Sequence, residues 1–453
     1  MKFNLSIFKT YDIRGEYPEQ VNKFVGYFLG RSLVEYLRER GIKKPKILVG
    51  RDNRISSPSI FSALKDGIFS KNGEVFTVGL STSPFLYWTC QKYEFDLGVQ
   101  ITASHLGKNY NGFKMLEKNG RFLGMGYGLE RVKEIFEKEI KGKFKKLNKK
   151  PKKIDVLKEY IFFNVGKIDQ RKIKNLKVVV DTGNGVSGIL IKPLSQILKR
   201  IKFFHIFKKL DGNFPNHPPD PSKVENLVWL KKEVLKRKAD LGIAFDGDAD
   251  RIIFVDERGE KIPPDLIGLL IALDLLKKKE KILIDLRCSK ILAEKIKEKG
   301  GEPIIFRAGH SFIKEKMRNE NIAFGIEFSG HYYHRDHYFT EAPLIVFLKI
   351  LEIISEKKKK ISKIVGSFKK YYHSGEINFE IEKEPEKIFQ KLKENYRKGK
   401  ILEIDGLRID FNDWWFLIRK SQTEPVLRLI LEAKNKRLFE EKLKEIEKII
   451  KSN

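Results

Sequence analysis

Residues 240–251 read Asp-Leu-Gly-Ile-Ala-Phe-Asp-Gly-Asp-Ala-Asp-Arg, an apolar run followed directly by three carboxylates at alternate positions. The apolar run predicts a buried strand, and the polar residues after it predict a loop at the strand's carboxyl end. Two other stretches have the same form: residues 96–101 lead into Thr102-Ala-Ser-His105, and residues 322–326 lead into Glu327-Phe-Ser-Gly-His331. This echo predicts three α/β units, each with one functional loop where open α/β sheets place their ligands.

Short β-rich runs alternate with longer amphipathic stretches over much of the chain. The first example is a strand at 45–50, a helix at 57–72 and a strand at 74–79, and further strands are expected at 176–181 and 281–285. Strand, helix and strand at this spacing indicate crossover connections, so the predicted fold class is α/β.

Changes in composition predict the boundaries of the units. The basic span from Lys141 to Lys153 marks one boundary, a second follows Asp256, and a basic stretch at 357–374 without strand character leads into a last unit. That unit is expected to end with a strand at 414–419, a loop, and a helix that reaches the C-terminus. Since domains usually have roughly 100–200 residues, we expect units at 1–150, 151–256, 257–370 and 371–453.

The strongly basic composition limits the classes of function. Lys and Arg total 91 against 60 Asp and Glu, a formal charge of +31, but most lysines are scattered among glutamates as on a solvated helix surface. The densest basic block, at 141–153, has almost no aromatic residue for stacking on bases, so nucleic acid is not expected as the main partner. A general positive field would still attract small anionic substrates.

The cysteines and the apolar stretches predict the compartment. Cys90 and Cys288 lie far apart in the sequence, which argues against a disulfide framework and a cysteine-based zinc site and favours a reducing compartment. The first residues have no apolar leader pattern. The longest apolar stretch, at 266–276, is too short to span a bilayer and is interpreted as a buried helix. The protein is therefore expected in the cytoplasm, without a membrane partner.

Asp246, Asp248 and Asp250 are the strongest local signal for chemistry. Three carboxylates on a tight turn converge on a hard cation, and their mutual repulsion would be costly without one. An EF-hand fits less well, because Arg251 stands where that loop requires glycine and strands are expected on both sides. A phosphatase with an aspartate nucleophile and a purely structural turn are the other interpretations.

The segment Thr102-Ala-Ser-His-Leu-Gly-Lys-Asn-Tyr-Asn-Gly-Phe-Lys114 is a second polar loop at a strand end. Ser104 is a candidate nucleophile, which would need activation by a base, a metal or surrounding dipoles. Taken alone, the segment is more typical of a helix N-cap with a hydrogen-bonded histidine, and it is the other motifs that favour a catalytic serine.

A third polar loop, Arg419-Lys-Ser-Gln-Thr-Glu-Pro425, combines a guanidinium with two hydroxyls and several backbone N–H groups. These donors suit a phosphate dianion, although Ser and Thr also form turns at such positions.

Two further patterns are open to more than one interpretation. Glu327 and Ser329 offer an acceptor and a hydroxyl suited to sugar hydroxyls, and the histidines at 331, 334 and 337 suggest zinc, although no fourth ligand is evident. Gly183-Asn-Gly-Val-Ser-Gly188 matches a dinucleotide fingerprint, but the next strand, near 201–207, ends in Lys208-Lys209 instead of an acidic residue. We interpret it as a tight turn between a strand and a helix.

Together these motifs resemble the α-D-phosphohexomutase superfamily, specifically its bacterial phosphomannomutase/phosphoglucomutase branch. The resemblance covers nearly the whole chain in the family's order, beginning with Phe8-Lys-Thr-Tyr-Asp-Ile-Arg-Gly15. It implies an α/β fold of four domains around a central cleft, three of them similar and the fourth a smaller α+β domain. It also implies that a phosphoserine enzyme interconverts hexose 1-phosphate and hexose 6-phosphate of mannose or glucose through hexose 1,6-bisphosphate.

The resemblance implies a role for each motif. It makes Ser104 the phosphoserine, and it makes Ser104, Asp246, Asp248 and Asp250 the ligands of one Mg²⁺ per chain, which would neutralise charge on the transferring group. The catalytic set that it implies is Ser104, Lys114, His331, Arg14, His105 and Arg251, with Lys114 and His331 as candidates for proton transfer. The substrate-binding set that it implies is Tyr11, Arg287, Gly309, His310, Glu327, Ser329, Arg419, Ser421 and Thr423.

The chain departs from the family's pattern at three places. Leu106-Gly107 follows Ser104-His105 where the family usually has Asn-Pro, which affects the rigidity of that loop. Arg287 stands where a lysine is usual and cannot easily serve as a base. The segment Tyr338-Phe-Thr-Glu-Ala-Pro343 lacks the usual glycine and aspartate, so the edge of the sugar site is expected to differ.

The expected partners are hexose phosphates, and the expected assembly is a monomer or a dimer. A phosphoglucosamine mutase is the alternative enzyme, and a non-catalytic sugar-phosphate-binding protein is the alternative outside the enzymes. Retention of Ser104, the three aspartates and Arg419 argues against the second, and Asn111-Gly-Phe-Lys114 favours the mannose/glucose branch.

Overall fold

The structure is a computed structural model that describes residues 3–276, 279–380, 385–420 and 426–451. Four β-sheets follow one another along this part of the chain, and each is accompanied by helices. The units named below are defined by these sheets.

The first unit contains the N-terminal sheet, in the order β1-β5-β4-β2-β3-β6. Its strands are β1 Ile13–Glu16, β2 Lys46–Arg51, β3 Glu74–Leu80, β4 Leu97–Ile101, β5 Tyr110–Glu117 and β6 Lys152–Lys153. Its helices are α1 Lys23–Arg38, α2 Ser57–Ser70, α3 Ser83–Lys92 and α4 Leu129–Glu139.

Local sequence explains why these helices begin and pack where they do. The side chain of Asn22 accepts hydrogen bonds from the backbone N–H groups at 24 and 25, and Thr82 caps α3 in the same way. Helices α1 and α2 cross closely, because a Cβ at Gly30 would lie 2.3 Å from the carbonyl oxygen of Leu64.

The second unit has the sheet order β11-β10-β9-β7-β8, and the third has β13-β12-β14-β15-β16. The second unit consists of α5 Leu157–Val165, β7 Leu176–Asp181, α6 Gly188–Ile197, β8 Ile201–Ile206, α7 Val228–Arg237, β9 Leu241–Phe245, β10 Ile252–Val255 and β11 Lys261–Ile262. The third consists of α8 Pro264–Leu275, β12 Lys281–Asp285, α9 Lys290–Glu298, β13 Glu302–Phe306, α10 His310–Asn319, β14 Phe324–Ile326, β15 Tyr332–His334, β16 Thr340–Glu341, α11 Pro343–Lys357 and α12 Ile361–Gly366.

The first three sheets share one topology. In each, a central strand pairs in parallel with a strand on either side, and one of those neighbours pairs with an antiparallel strand. The three apolar runs of the sequence echo are the equivalent strands β4, β9 and β14. The predicted α/β class and the three similar units are therefore confirmed, and each polar loop joins a parallel strand to the antiparallel strand after it.

The fourth unit is smaller, and its sheet has the order β17-β22-β21-β20-β19, with β18 paired to β22. Its elements are β17 Tyr372–His373, β18 Ile377–Glu380, α13 Pro385–Asn395, β19 Lys400–Leu402, β20 Leu407–Asp410, β21 Trp414–Lys420, β22 Val426–Ala433 and α14 Lys436–Lys451. The expected order of strand, loop and C-terminal helix was wrong in omitting β22, which pairs antiparallel with β21. Its apolar alternation at 427, 429 and 431 is strand-like, and pairing with β21 makes it a central strand of the sheet.

Most local predictions agree with the structure to within two residues. The apolar stretch at 266–276 forms the buried helix α8, which contributes to one apolar core shared by the second and third units. The boundaries at 150, 256 and 370 stay predictions. Two short strands lie just past predicted boundaries but pair with the sheet before them. β6, at 152–153, pairs with β3 of the first sheet, and β11, at 261–262, pairs with β10 of the second.

Candidate active site

The aspartate loop (residues 246–251) follows the carboxyl end of β9, and its three carboxylates are buried. One oxygen from each of Asp246, Asp248 and Asp250 lies within 4.8 Å of the others. Burial raises the pKa of Asp246 well above its ordinary value, and the charges of Asp250 and Asp248 add to this effect. Three buried carboxylates at this separation require cations to balance them.

The oxygen atoms of this cluster fit a hard divalent cation. Asp248 Oδ1 is buried and has no hydrogen-bond partner among the residues that the structure describes, and the buried Asp250 Oδ1 lies 3.2 Å from Nε2 of His331. Carboxylate oxygens are the ligands that such cations prefer, and Mg²⁺ commonly binds one or two carboxylates together with a phosphate. The cluster can therefore hold a metal ion.

Ser104 lies in the serine loop (residues 102–109), which follows β4 and meets the aspartate loop. Its hydroxyl donates a hydrogen bond to Asp246 Oδ2 at 2.9 Å and lies 3.3 Å from His105 Nδ1. The residue is buried and has a φ of 53°, in the left-handed region that only the surrounding structure stabilises. This backbone aims the serine oxygen at the carboxylates.

Lys114 and Arg14 come from the two strands beside the serine loop. β5 pairs with β4 so that Lys114 lies opposite Gln100, and β1 pairs with β5 so that Arg14 lies opposite Gly112. Lys114 Nζ donates to Asp248 Oδ2 at 2.7 Å and also contacts Asp250. Burial alone would lower the pKa of Lys114, but these two carboxylates raise it well above its ordinary value. Two cations of the first unit therefore lie beside the aspartates of the second.

His331 brings the third unit to the same carboxylates. Its Nε2 lies 3.2 Å from Asp250 Oδ1, and its Nδ1 lies 2.8 Å from Ser329 Oγ. Arg251 approaches the same ring, with Nε 3.5 Å from Nε2. The imidazole is thus held between the aspartate loop and the loop at 327–331, where it can exchange a proton with a nearby hydroxyl.

Glu327 and Arg287 form an ion pair in the third unit. Arg287 Nη2 donates to Glu327 Oε1 at 3.1 Å, while its Nε donates to Asp285 Oδ2 at 2.8 Å. The hydroxyl of Tyr333 donates a hydrogen bond to Glu327 Oε2 at 2.6 Å. Burial tends to raise the pKa of Glu327, but His331 and Arg287 lower it to about 2. Glu327 is therefore an ionised acceptor, and Arg287 is a fixed cation.

Tyr11 from the first unit packs against Gly309 and His310 from the third. A Cβ at Gly309 would lie 2.8 Å from the Tyr11 hydroxyl, and the rings of Tyr11 and His310 lie 5.5 Å apart. Burial lowers the pKa of His310 well below its ordinary value, and the charges of Lys314 and Lys114 add to this effect. A neutral His310 therefore closes one side of the site.

Arg419, at the end of β21, donates from Nη2 to Glu376 Oε1 at 2.8 Å. Glu376 also lies 3.9 Å from Arg287 and 3.8 Å from Arg428. Glu376 is thus an anion surrounded by three guanidinium groups, and a phosphate dianion would be bound by the same groups. Ser421 and Thr423, the other predicted members of this loop, lie outside the described residues.

A cleft of about 1150 Å³ lies between the four units. Its lining includes one or more side chains from every unit, among them His105, Arg251, Arg287, Glu327, Ser329, Glu376 and Arg428. The cleft has the volume of a small-molecule site, and its lining is rich in cations. Burial, and then the charges of Arg251 and Arg14, lower the pKa of His105 well below its ordinary value, so this ring faces the cleft uncharged.

Three alternative interpretations are not supported. The aspartate loop lies between strands β9 and β10, so it is not an EF-hand. His334 and His337 do not join His331, because Nδ1 of His334 accepts from the backbone of Asp336 and Nδ1 of His337 contacts Thr340 Oγ1. The glycine-rich segment at 183–188 is the predicted strand–helix turn into α6.

Sequence reasoning missed Glu376, Arg428 and the buried pair Lys314–Glu341, whose N–O distance is 2.6 Å. A signal existed only for Arg428, which pairs with Arg419 across β21 and β22 and would follow from the strand that was overlooked. Within the described residues, every helix is too short or too polar to cross a bilayer.

Family models for four domains of phosphoglucomutase/phosphomannomutase match successive parts of the chain. The alpha/beta/alpha domains I, II and III match residues 5–143, 154–259 and 263–371, and the C-terminal domain matches residues 376–449.

Relatives align over almost the whole chain. A protein named phosphomannomutase from Methanocaldococcus jannaschii is 37% identical, over 99% of this chain and 98% of its own. A phosphomannomutase/phosphoglucomutase from Pseudomonas aeruginosa is 33% identical, over 99% of this chain and 95% of its own.

Solved structures show the same architecture. A phosphoglucomutase/phosphomannomutase family protein from Burkholderia thailandensis has a TM-score of 0.88 at 30% identity, covering 100% of this chain and 98% of its own. An N-acetylglucosamine-phosphate mutase has a TM-score of 0.62 at 13% identity, covering 98% of this chain and 96% of its own, a likeness of fold alone.

Proposed function

The chain belongs to the phosphoglucomutase/phosphomannomutase family, and on that basis we propose that Ser104 carries the phosphoryl group in its reaction. The protein is a phosphohexomutase that interconverts hexose 1-phosphate and hexose 6-phosphate of mannose, glucose or both. One observation carries the proposal for Ser104: its hydroxyl contacts Asp246 where the serine and aspartate loops meet.

Phosphorylated Ser104 donates its phosphoryl group to the free hydroxyl of a hexose monophosphate. The bond between phosphorus and Ser104 Oγ breaks, a bond to the sugar oxygen forms, and the proton of that hydroxyl passes to a base. Hexose 1,6-bisphosphate results, and after it turns over in the cleft, the phosphate at its other end returns to Ser104. His331 and Lys114 are the candidates for proton transfer, since both lie against Asp250 beside the serine loop, and Lys114, which Asp248 and Asp250 keep protonated, is placed to donate a proton.

We infer that Asp246, Asp248 and Asp250, together with Ser104, would hold one Mg²⁺ per chain. When bound, Mg²⁺ neutralises charge on the transferring phosphoryl group. Arg14 and Arg251 add positive charge close to the cluster, since Arg14 interacts with Asp248 and Asp250 and Arg251 with Asp246, and His105 forms part of the wall of the cleft.

The substrate is held by the third and fourth units. Glu327 and Ser329 bind sugar hydroxyls, Arg287 keeps Glu327 in place, and Tyr11, Gly309 and His310 bound the other side. Arg419 anchors the phosphate that is not reacting, exchanging Glu376 for that phosphate when substrate binds. Ser421 and Thr423 are proposed to bind the same phosphate.

A coupled assay with the 1-phosphates of mannose, glucose and glucosamine tests this function, with a trace of hexose 1,6-bisphosphate as activator. We expect turnover of the mannose or glucose compound, loss of essentially all turnover in Ser104→Ala, and a phosphorylated serine by intact mass in the parent protein only. Turnover of the glucosamine compound alone would identify a phosphoglucosamine mutase. Binding without turnover would identify a sugar-phosphate-binding protein.

The cytoplasmic location and the monomeric or dimeric state stay predictions, which cell fractionation and sedimentation velocity test.

A further inference from the structure

Arg54 is completely buried in the short segment between β2 and α2, and it has no place in the reacting set described above. Burying a guanidinium is costly unless hydrogen bonds and a counter-charge satisfy it. Its counter-charge is Asp52, whose Oδ2 accepts from Nε at 2.9 Å. The remaining donors of the guanidinium all point to one other segment of the chain.

That segment is the serine loop and the residue after it. Nη2 of Arg54 donates to the carbonyl oxygens of Ser104 at 2.9 Å and Leu106 at 2.6 Å. Nη1 donates to the carbonyl oxygens of Gly107 at 2.5 Å and Tyr110 at 3.1 Å. All five N–H groups of the guanidinium are therefore used, and four of them fix backbone oxygens of the segment that carries the nucleophile.

Arg54 is itself held from both sides. Asp52 Oδ1 accepts hydrogen bonds from the backbone N–H of Arg54 and from Ser57 Oγ. From the second unit, the ring of Phe214 lies 5.1 Å from the guanidinium, and a Cβ at Gly212 would lie 2.8 Å from the Arg54 Cα. A rigidly held arginine can impose its geometry on a softer partner.

The serine loop is that softer partner. Ser104 has a left-handed backbone that needs outside support, and Gly107 adds a residue with wide backbone freedom. Within the described part of the chain, the N–H of Gly107 has no hydrogen-bond partner. The carbonyl contacts from Arg54 bracket this glycine on both sides.

We propose that Arg54 is a positioning residue for phosphoryl transfer, which holds the serine loop so that Ser104 Oγ faces the aspartates. The proposal rests on the proposed role of Ser104. Arg54 contacts the serine loop through its backbone carbonyl oxygens and touches no reacting atom. Its loss should therefore lower kcat, whereas KM, set by side chains of the third and fourth units, should change little.

Arg54→Lys tests this proposal, because lysine keeps the charge but cannot reach four carbonyl oxygens with one ammonium. A displacement of about 1 Å at reacting atoms costs on the order of 100-fold, so we expect kcat to fall by about that factor with KM within about twofold. Hydrogen–deuterium exchange of the backbone amides at 106 and 110 should speed up in the same variant. That readout needs no mutase activity, so it separates failure of this proposal from failure of the proposed function.

The double variant Arg54→Lys/Gly107→Pro tests whether kcat recovers when the serine loop is restricted by another route. A Cβ at Gly107 meets nothing within 4 Å, and proline there removes no hydrogen bond, because the N–H of Gly107 donates none among the described residues. Proline would restrict the loop by another route and should recover about two- to fivefold in kcat. Gly107→Pro alone gives the reference for this comparison.

Ile68→Val, in the apolar core of the same unit, is the matched control for lost stability. It should lower Tm without changing kcat or loop exchange. The proposal would be overturned if Arg54→Lys lowered only Tm, raised KM at unchanged kcat, or left the hydrogen–deuterium exchange of the serine loop unchanged. A folded double variant no more active than Arg54→Lys would overturn it as well.

Discussion

Gly247 lies where the backbone of the aspartate loop passes close to the backbone of the serine loop. An added Cβ there would lie 2.4 Å from the carbonyl oxygen of Ser104 and 3.4 Å from Pro219 Cβ. The backbone φ of Gly247 is open to any residue, so Gly247→Ala introduces a clash and little else. The substitution therefore tests whether close contact between the two loops is needed for phosphoryl transfer.

The geometry sets the size of the effect. Real Cβ atoms essentially never approach another heavy atom within 3.0 Å, so the two loops must separate by about 0.6 Å. Overpacking of this kind costs about 1–3 kcal/mol of stability. Since a misplacement of about 1 Å costs roughly 100-fold, a shift of this size predicts a fall in kcat on the order of tenfold. KM should stay close to that of the parent, because Glu327, Ser329 and Arg419 are untouched.

Steady-state kinetics and thermal unfolding of Gly247→Ala provide the measurement. Gly366→Ala is the matched control, because a Cβ at that glycine meets nothing within 4 Å and lies outside the cleft. It should keep the parent's kcat and Tm within error or gain slightly in stability. Parent-like kcat in folded Gly247→Ala would refute the reasoning, since the loops could then part without consequence for the reaction.

Three further predictions concern the metal, the phosphate anchor and pH. Asp248→Asn should raise the Kd for Mg²⁺ in calorimetric titration, because the cluster loses one of three charges; an unchanged Kd would place the ion elsewhere. Arg419→Ala should raise KM, since a hydrogen bond to a charged group is worth roughly 1.5–3 kcal/mol, on the order of 10- to 150-fold; unchanged kinetics would make it a surface residue. Burial is the main cause that lowers the pKa of His337 to about 3 and of His334 to about 4, so both take up protons more readily on unfolding. The free energy of unfolding should therefore fall as pH drops from about 6.5 towards 4, by up to about 1.4 kcal/mol per pH unit for each histidine. In His337→Asn, the denaturant midpoint should fall less steeply with pH than in the parent protein.

Several parts of the fold could be predicted because their signals are local. A buried strand of a parallel sheet is a short apolar run bounded by turn residues, so residues 176–181 and 281–285 could be placed with the bounds that β7 and β12 have. The aspartate and serine loops could be identified because each directly follows such a run. The family resemblance added roles to these motifs, since their order along the chain is as informative as their composition.

Other features depend on residues that are distant in sequence. β22 follows a loop and carries two charged residues, Arg428 and Glu432, so its strand character depends on pairing with β21. The contact of Lys114 with Asp248 and Asp250 spans more than 130 positions and requires the first and second units to meet. No periodicity within either segment carries that information.

The sequence by itself determined the fold class, the three equivalent strands and the polar loops that follow them, because strand burial and turn chemistry are properties of adjacent residues. Only the tertiary structure decided that Arg54 holds the serine loop, that Glu376 lies among three arginines, and that Tyr11 covers Gly309. The contacts of Glu376 with Arg287 and of Tyr11 with Gly309 join separate units, whereas Arg54 and the serine loop are segments of the first unit that lie about 50 residues apart in sequence. A buried charge takes its partner from whichever chain segment tertiary packing brings within hydrogen-bond distance.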